Sequence, residues 1–523
     1  MAARGGRRPP GDLPETGRVG VIDIGSNSVR LVAYVGDRRF PVPFFNEKVA
    51  CGLGRHLAVT GRLHPDGVDL ALAALERFAA LAERMRLKRL DVVATAAVRE
   101  AVDGPMFIAL ARDRSGLDLR VLDGAEEARL AAMGVHSAFP DAEGLVGDLG
   151  GGSLELVAVS GGRSGDYVTL PLGPLRLMDV AEPNAREAIQ ATIDSVLNDV
   201  PWLDAQAGRT FYAVGGAWRS LAQVHMAQNG YPLRVLHHYT IPRSRARTVA
   251  QLLAGLGKDS LTRIGGISRR RTETLPYAAM VLDRLLKRMR PSQVVFSAFG
   301  LREGVLYDQL PADERDLDPL IEGARDIGQQ RGRFPEHGAE MQAFVEPLFI
   351  EDPPALRRLR LVACCLSDIA WRSHPDYRAL HAFFEVMHAP LVGIDHGARV
   401  LVAAAVHARY GGGDGLPDVA AYLNLLDEPT RTHGVRLGAA LRLGQTLSGG
   451  TAGVLPAARL VRNGDVLTLV LDPAARALAG DVVQRRLASL ARLVGCQARI
   501  AVAGEGDGQG VSEPADACPE GEG

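Results

Sequence analysis

Val21-Ile22-Asp23-Ile24-Gly25-Ser26-Asn27-Ser28 runs into VRLVAYV, and Val146-Gly147-Asp148-Leu149-Gly150-Gly151-Gly152-Ser153 runs into LELVAVS. In both stretches an apolar strand ends in Asp-x-Gly, a turn of small hydroxyl or Gly residues follows, and a second strand leads away. A single Asp-x-Gly reads as an ordinary hairpin turn. Two copies in the same strand-turn-strand setting, with Asp23 and Asp148 lying 125 positions apart, imply two similar lobes with a cleft between them.

The spelling of the turn carries chemistry. Glycines admit positive φ and let backbone amides approach an anion, and Ser hydroxyls add donors, so each turn is suited to cradle phosphate. That reading makes Gly25, Ser26, Asn27, Ser28, Gly150, Gly151, Gly152 and Ser153 phosphate-binding candidates. A carboxylate at the strand end repels phosphate unless a divalent cation lies between them, so Asp23 and Asp148 point to a hard metal such as Mg²⁺.

From Val19 to about Leu310, short β-branched runs (VGVIDI, VRLVAYV, LDVVATA, LRVL, GLVGDL, LELVAVS, TFYAV, QVVFSAF) alternate with Ala/Leu/Arg stretches of helical period, as in an α/β sheet fold. Residues from about Asp318 to Gly449 read as helical, with Pro353, Pro354, Pro375, Pro390 and Pro429 as breaks. After Gly450, AARLV, the turn Asn463-Gly464-Asp465 and VLTLVL read as a hairpin, followed by a helix and a last strand, QARIAV. Residues 1–17 are Arg-, Gly- and Pro-rich, and 504–523 are acidic and Gly-rich; neither tail is expected to order. The expected division is 18–128 for the first lobe, 129–312 for the second, 318–449 for the helical domain and 450–503 for a small α+β domain.

Composition narrows the function classes. The 523 residues are 47% hydrophobic and 23% charged with a net charge of -1, which argues against a whole-protein grip on nucleic acid. Four of the 60 basic residues are lysine (Lys48, Lys88, Lys258, Lys287); the Arg preference suits bidentate phosphate binding but also fits a codon bias alongside abundant Ala and Gly. Five scattered cysteines without Cys-x-x-Cys spacing indicate a reducing compartment and no structural zinc. The N-terminus lacks the apolar stretch of a secretory signal, and no run reaches the roughly 18 residues that span a bilayer. A soluble cytoplasmic protein without membrane partners is expected.

The paired loops resemble the acetate and sugar kinase, Hsp70 and actin superfold. Within it, DIGSNSVRL, GAEEARLAAMGV, DLGGGSLEL and SAFGLREGVLY resemble the exopolyphosphatase/guanosine pentaphosphate phosphatase (Ppx/GppA) family, strongly over Val19 to about Tyr307 and more weakly beyond. The resemblance implies an α/β fold with two actin/Hsp70-like (ribonuclease H-like) lobes, then an all-helical HD-like domain and a small α+β C-terminal domain. It also implies Mg²⁺, with a monovalent cation allowed beside it, and a homodimer.

Asp123-Gly124-Ala125-Glu126 fits a capping box that occupies Glu126. Glu127 points about 100° further round the helix, free to face the cleft. The resemblance makes Glu127 the general base that orients a water at a metal-bound phosphoryl group. It makes Arg99 the cation on the transferring phosphoryl and Asp148 and Glu155 acidic residues around the metal, giving Asp23, Asp148 and Glu155 as the metal set. Gly215 and Gly216 match a family phosphate turn, although Ala217 stands where a hydroxyl is common, a change that a backbone role would survive. Arg302 and Glu303 read as an ion pair ordering the lobe.

His374, His381 and His388 recur every seven residues, but the HD-like stretch reads Cys365-Leu366-Ser367-Asp368, with Ser367 where a metal-binding His is expected, so no metal site is assigned there. Arg269-Arg270-Arg271 and Arg357-Arg358 are candidate linings for a phosphate channel, with solvated helix faces as the plain alternative. The leading expectation is a processive exopolyphosphatase acting on inorganic polyphosphate. Guanosine pentaphosphate (pppGpp) hydrolysis is the close alternative, and an ATP-dependent kinase of the same superfold or a non-catalytic polyphosphate or nucleotide sensor are the readings from other classes.

Overall fold

The computed structural model describes residues 17–36, 38–180, 186–264, 271–334, 337–413 and 417–504. Almost all of both expected tails, as well as Arg269 and Arg270, lies outside these residues. Two compact units are present, Met1–Gly323 with His388–His396, and Ala324–Met387 with Gly397–Gly523.

The first unit is built on two sheets that repeat one plan. Strands β1 (Arg18–Ile24), β2 (Val29–Val35), β3 (Val42–Val49), β4 (Arg89–Ala94) and β5 (Arg120–Val121) lie in the order β3-β2-β1-β4-β5. Strands β6 (Gly144–Leu149), β7 (Leu154–Ser160), β8 (Arg163–Leu170), β9 (Thr210–Val214), β10 (Tyr239–Pro242) and β11 (Gln293–Phe296) lie in the order β10-β11-β9-β6-β7-β8. In each sheet the first two strands form an antiparallel hairpin around a Gly-led turn, and the first strand also pairs in parallel with a later one, β1 with β4 and β6 with β9. Parallel pairing requires crossover helices, and Pro65–Arg84 buries Ala71, Leu75 and Phe78 against the first sheet while Leu275–Met289 buries Leu282, Leu285 and Met289 in the second lobe.

Three strands depart from the expected pattern, and all three are sheet edges. β3 contains Pro43 and is only half-buried, β8 (RSGDYVTL) is mostly exposed, and β10 is four residues ending in Pro242. Edge strands bury one side at most and admit Pro and charge, which erases the apolar run that marks an interior strand.

Two short helices close the floor beneath the cleft. Gly124–Ala138 packs against Leu301–Asp308 at a separation only glycine permits, since a Cβ at Gly134 would strike the Gly300 carbonyl and one at Gly304 the Leu130 carbonyl. This crossing fixes the helix that carries Glu127.

The second unit is helical from Pro354–Leu366 to Glu428–Ser448, with Pro354 and Pro429 in first turns, where a missing amide costs nothing. It ends in the sheet β12 (Ala458–Asn463), β13 (Val466–Leu471), β14 (Gln497–Val502), whose hairpin turns at Gly464 with φ 59° and is covered by the helix Asp481–Leu493. His374, His381 and His388 are exposed, and Ser367 is tied to Cys364 O and Gln445. Among the described residues, no helix is long and apolar enough to cross a membrane.

Candidate active site

The two turns meet at one cleft of about 190 Å³ in the first unit, lined by Asp23, Gly25–Ser28 and Asp148–Ser153 together with Glu127 and Glu155. The turns have the same internal geometry: the Gly25 amide donates to Ser28 O at 3.0 Å, and the Gly150 amide to Ser153 O at 3.0 Å. Their outward carbonyls are taken, Ser26 O by Gly54 N (2.8 Å), Asn27 O by Cys51 N (3.2 Å) and Gly151 O by Leu175 N (2.9 Å). Among the described residues no backbone carbonyl accepts from the amides of Ser26, Asn27, Ser28, Gly151, Gly152 or Ser153. Such a set of spare donors is what an anion requires.

Glycine lets the two turns approach closely where they touch. A Cβ at Gly151 would lie 3.0 Å from Ser26 Cβ and 3.1 Å from Leu175 Cδ1, and one at Gly152 would lie 3.0 Å from Ser26 Oγ. The third Gly turn joins them: Gly215, at φ 108°, leads from β9 into the helix Gly216–Gln228, and Gly215, Gly216 and Ala217 line the cleft. A helix N-terminus there adds donors and positive potential without any hydroxyl at Ala217.

Glu127 is 8% exposed and lines the cleft. Its helix starts at Asp123, whose carboxylate accepts from Glu126 N at 2.8 Å, and Thr169 Oγ1 on β8 donates to Gly124 O at 3.1 Å. The expected return bond from Glu126 is replaced by an ion pair to Arg120 at 3.2 Å, yet the two glutamates still diverge. Arg99 is not among the residues lining the cleft. It donates to Glu127 Oε2 at 2.7 Å and to Leu122 O at 2.9 Å, so it contacts the acid rather than the space a phosphoryl group would fill.

Burial raises every acid of the site. It brings Glu127 up to about 7, opposed by the hydrogen bond and charge of Arg99 and reinforced by Asp148 and Asp23. Burial brings Asp148 up to about 6 against the pull of Arg219, with Asp23 pushing the same way as burial. Glu155, 2% exposed, is pushed well above the carboxylate range by burial and then by Glu127, and among the described residues its Oε1 is buried without a hydrogen-bond partner. Burial also raises Asp23, although Arg302 sits 3.3 Å away.

Among the described residues, no three His, Cys, Asp or Glu side chains converge closely enough to chelate a metal. Asp23, Asp148 and Glu155, the expected metal set, all line the cleft, and Asp23 also lies 3.3 Å from Arg302. Crowded carboxylates with an unpartnered buried oxygen nevertheless fit a hydrated divalent cation, which takes one or two protein oxygens and the rest from water and substrate.

Sequence reasoning missed most of the basic wall. Arg30, Lys48, Arg219, Arg271 and Arg302 also line the cleft. Arg30 and Lys48 are paired neighbours on β2 and β3, and Arg30 is the one charge in VRLVAYV, a signal that was available. Burial and then the charges of Arg271, Arg30 and Arg219 bring Lys48 down to about 8. Arg271 donates to Gly216 O and to Ser220 Oγ (2.6 Å), so the described member of the 269–271 cluster does reach the cleft. Arg302 and Glu303 are 3.9 Å apart, but only Glu303 orders the lobe, accepting from Gly300 N (3.0 Å) and from Tyr34 OH (2.9 Å), while Arg302 faces the cleft.

The chain is 28% identical over 322 residues to exopolyphosphatase 2 of Mycobacterium tuberculosis, covering 57% of this chain and 96% of the relative. It is 26% identical over 435 residues to retrograde regulation protein 2 of Saccharomyces cerevisiae, covering 75% and 72%. The crystal structure of an exopolyphosphatase from Cytophaga hutchinsonii superposes with a TM-score of 0.51 at 25% identity, covering 55% of this chain and 96% of that one. Residues 320–501 match the family model for the exopolyphosphatase C-terminal domain. With residues 31–313, which hold every residue of the cleft except those on β1 and its turn and Arg30, matching the corresponding family model, the chain belongs to the Ppx/GppA phosphatase family.

Proposed function

We propose that the protein is an exopolyphosphatase, which releases orthophosphate from the end of inorganic polyphosphate. The observation that carries this reading is the meeting of both Gly-led turns and Glu127 at one cleft. The spare amides of Ser26–Ser28 and Gly151–Ser153 would hold the terminal phosphoryl oxygens, and the guanidinium and ammonium groups of Arg30, Lys48, Arg219, Arg271 and Arg302 would hold the phosphates behind it. Glu127, balanced near neutrality, accepts a proton from water; the water oxygen bonds to phosphorus and the bridging P–O bond breaks, the shortened chain leaving as an anion. Mg²⁺, when bound through Asp148 and Glu155, would supply charge neutralisation at the phosphoryl oxygens. Arg99 acts through Glu127 as a positioning residue.

The name of the mycobacterial relative supports polyphosphate as substrate, and five cations in one cleft suit a run of phosphates. Purified protein offered polyphosphate and pppGpp with a divalent cation should release orthophosphate faster from polyphosphate, and Glu127→Gln should slow the release about a hundred-fold or more. Faster release from the guanosine substrate, or unaltered release by the variant, would overturn the proposal.

A further inference from the structure

A small cavity lies against the cleft, at the seam between the two lobes where their turns touch. It shares Ser26, Ala96 and Gly152 with the cleft and reaches Ala58, Glu100 and Arg176 on its outer side. Its volume is about 10 Å³, the room that one water needs. A Cβ at Gly152 would lie 3.0 Å from Ser26 Oγ and 3.4 Å from Ala96 Cβ, so the lack of a side chain there leaves a gap between the three residues that cavity and cleft share. The outer end is polar: Arg176 pairs with Glu100, their side chains 27% and 35% exposed, and Ala58 beside them is exposed. Among the described residues Arg176 Nε is buried without a partner, and a water in the cavity would accept from it.

The sheet order sets this cavity on the side of the acid. β1 lies between β2 and β3, which carry Arg30 and Lys48, and β4, which leads through Thr95 into the helix Ala96–Glu100. That helix lines the cavity with Ala96, Ala97 and Glu100, and it carries Arg99, the donor to Glu127. In an in-line displacement the water approaches phosphorus opposite the leaving oxygen. A chain led away over Arg30 and Lys48 is therefore attacked from the side of Ala96–Glu100. Each orthophosphate released consumes one water, and a chain that stays bound from one cycle to the next occupies the front of the cleft.

We propose that this cavity is a rear water inlet, which refills the position beside Glu127 through the seam between the lobes while the chain remains in the cleft. The inference rests on the exopolyphosphatase reading. It separates long substrates, which keep the front occupied, from tripolyphosphate, which leaves it open after each turnover. Ala58→Leu covers the outer mouth from an exposed position, and Ala97→Val narrows the wall. In either variant kcat for long-chain polyphosphate should fall about five-fold or more at unchanged KM, while kcat for tripolyphosphate stays within about two-fold of the parent. Ala58→Leu carries the comparison alone where the buried Ala97 does not tolerate Val. Equal slowing of both substrates, or of neither, in a variant that melts with the parent would overturn the inlet and leave the assignment of the cleft intact. A parent protein that releases no orthophosphate from polyphosphate would overturn both readings.

Discussion

Replacing Arg99 by Met removes a guanidinium without touching the cleft wall, and its effect follows from the balance at Glu127. Burial raises this carboxyl to about 7, and that value already includes the lowering by Arg99 at 2.7 Å. A hydrogen bond to a charged group contributes about 1.5–3 kcal/mol, and its loss corresponds to about one to two pH units at about 1.4 kcal/mol each. At pH 7 the ionised fraction of Glu127 should then fall from about one half to between about one tenth and one hundredth, slowing turnover about five- to fifty-fold. Raising the pH should restore the rate, because the variant shifts the acidic limb of the kcat/KM profile upwards without removing the base. The assay is orthophosphate release from polyphosphate between pH 5.5 and 9.5 with the divalent cation held constant. A uniform loss at every pH with the limb unmoved would refute the reasoning and return Arg99 to a direct contact with the phosphoryl group.

Glu127→Gln should lower kcat by about a hundred- to ten-thousand-fold while leaving polyphosphate binding intact, read by single-turnover hydrolysis and by calorimetry. Lys48, brought down to about 8, is charged below that pH and neutral above it, so KM for polyphosphate should rise through pH 8 and Lys48→Arg should abolish the rise. Gly304→Ala places a Cβ against Leu130 O and 3.0 Å from Gly134 N, and should destabilise the first unit by about 1–3 kcal/mol in thermal unfolding; an unchanged transition would contradict the close helix crossing. Asp148 at about 6 and Glu127 at about 7 hold protons in the folded state that the unfolded chain releases, so stability falls as pH rises through that range. A divalent cation should therefore raise Tm more at pH 8 than at pH 5.5, and an equal effect at both would argue against carboxylate binding.

Much of this molecule can be read from its residues because the decisive signals are local. Asp-x-Gly followed by a hairpin, Asp123 opening a helix, and Asn463-Gly464-Asp465 closing a turn each depend on a few consecutive positions, and each appears in the structure. Arg99 was harder, since its partner is 28 positions away and only the fold determines whether a guanidinium faces substrate or an acid. Arg219 sits in a stretch of ordinary helical composition and Arg271 was legible only as one member of a charge run, because the cleft they line is assembled from segments spread between Asp23 and Arg302. The edge strands β3, β8 and β10 failed for the reason that protects them from aggregation: their Pro, Gly and charged residues interrupt the apolar pattern.

The two copies of the turn differ most at one place, and that difference explains the polarity of the cleft. Each copy ends its first strand in Asp, and the residue seven positions later lies directly across the ladder from it: Arg30 opposite Asp23, and Glu155 opposite Asp148. The next strand extends the contrast, with Lys48 beside Arg30 in one copy and Thr169 beside Glu155 in the other. One backbone plan used twice thus places a basic pair, Arg30 and Lys48, behind the first turn and an acidic pair, Asp148 and Glu155, at the second. Had both copies carried Arg at the crossing position, Asp148 would have no second acid across the ladder; had both carried Glu, Asp23 would have lost the guanidinium that faces it there. On the proposed reading, this charge divergence inside a repeated geometry is what would let the cleft hold a phosphate chain and aim water at its end.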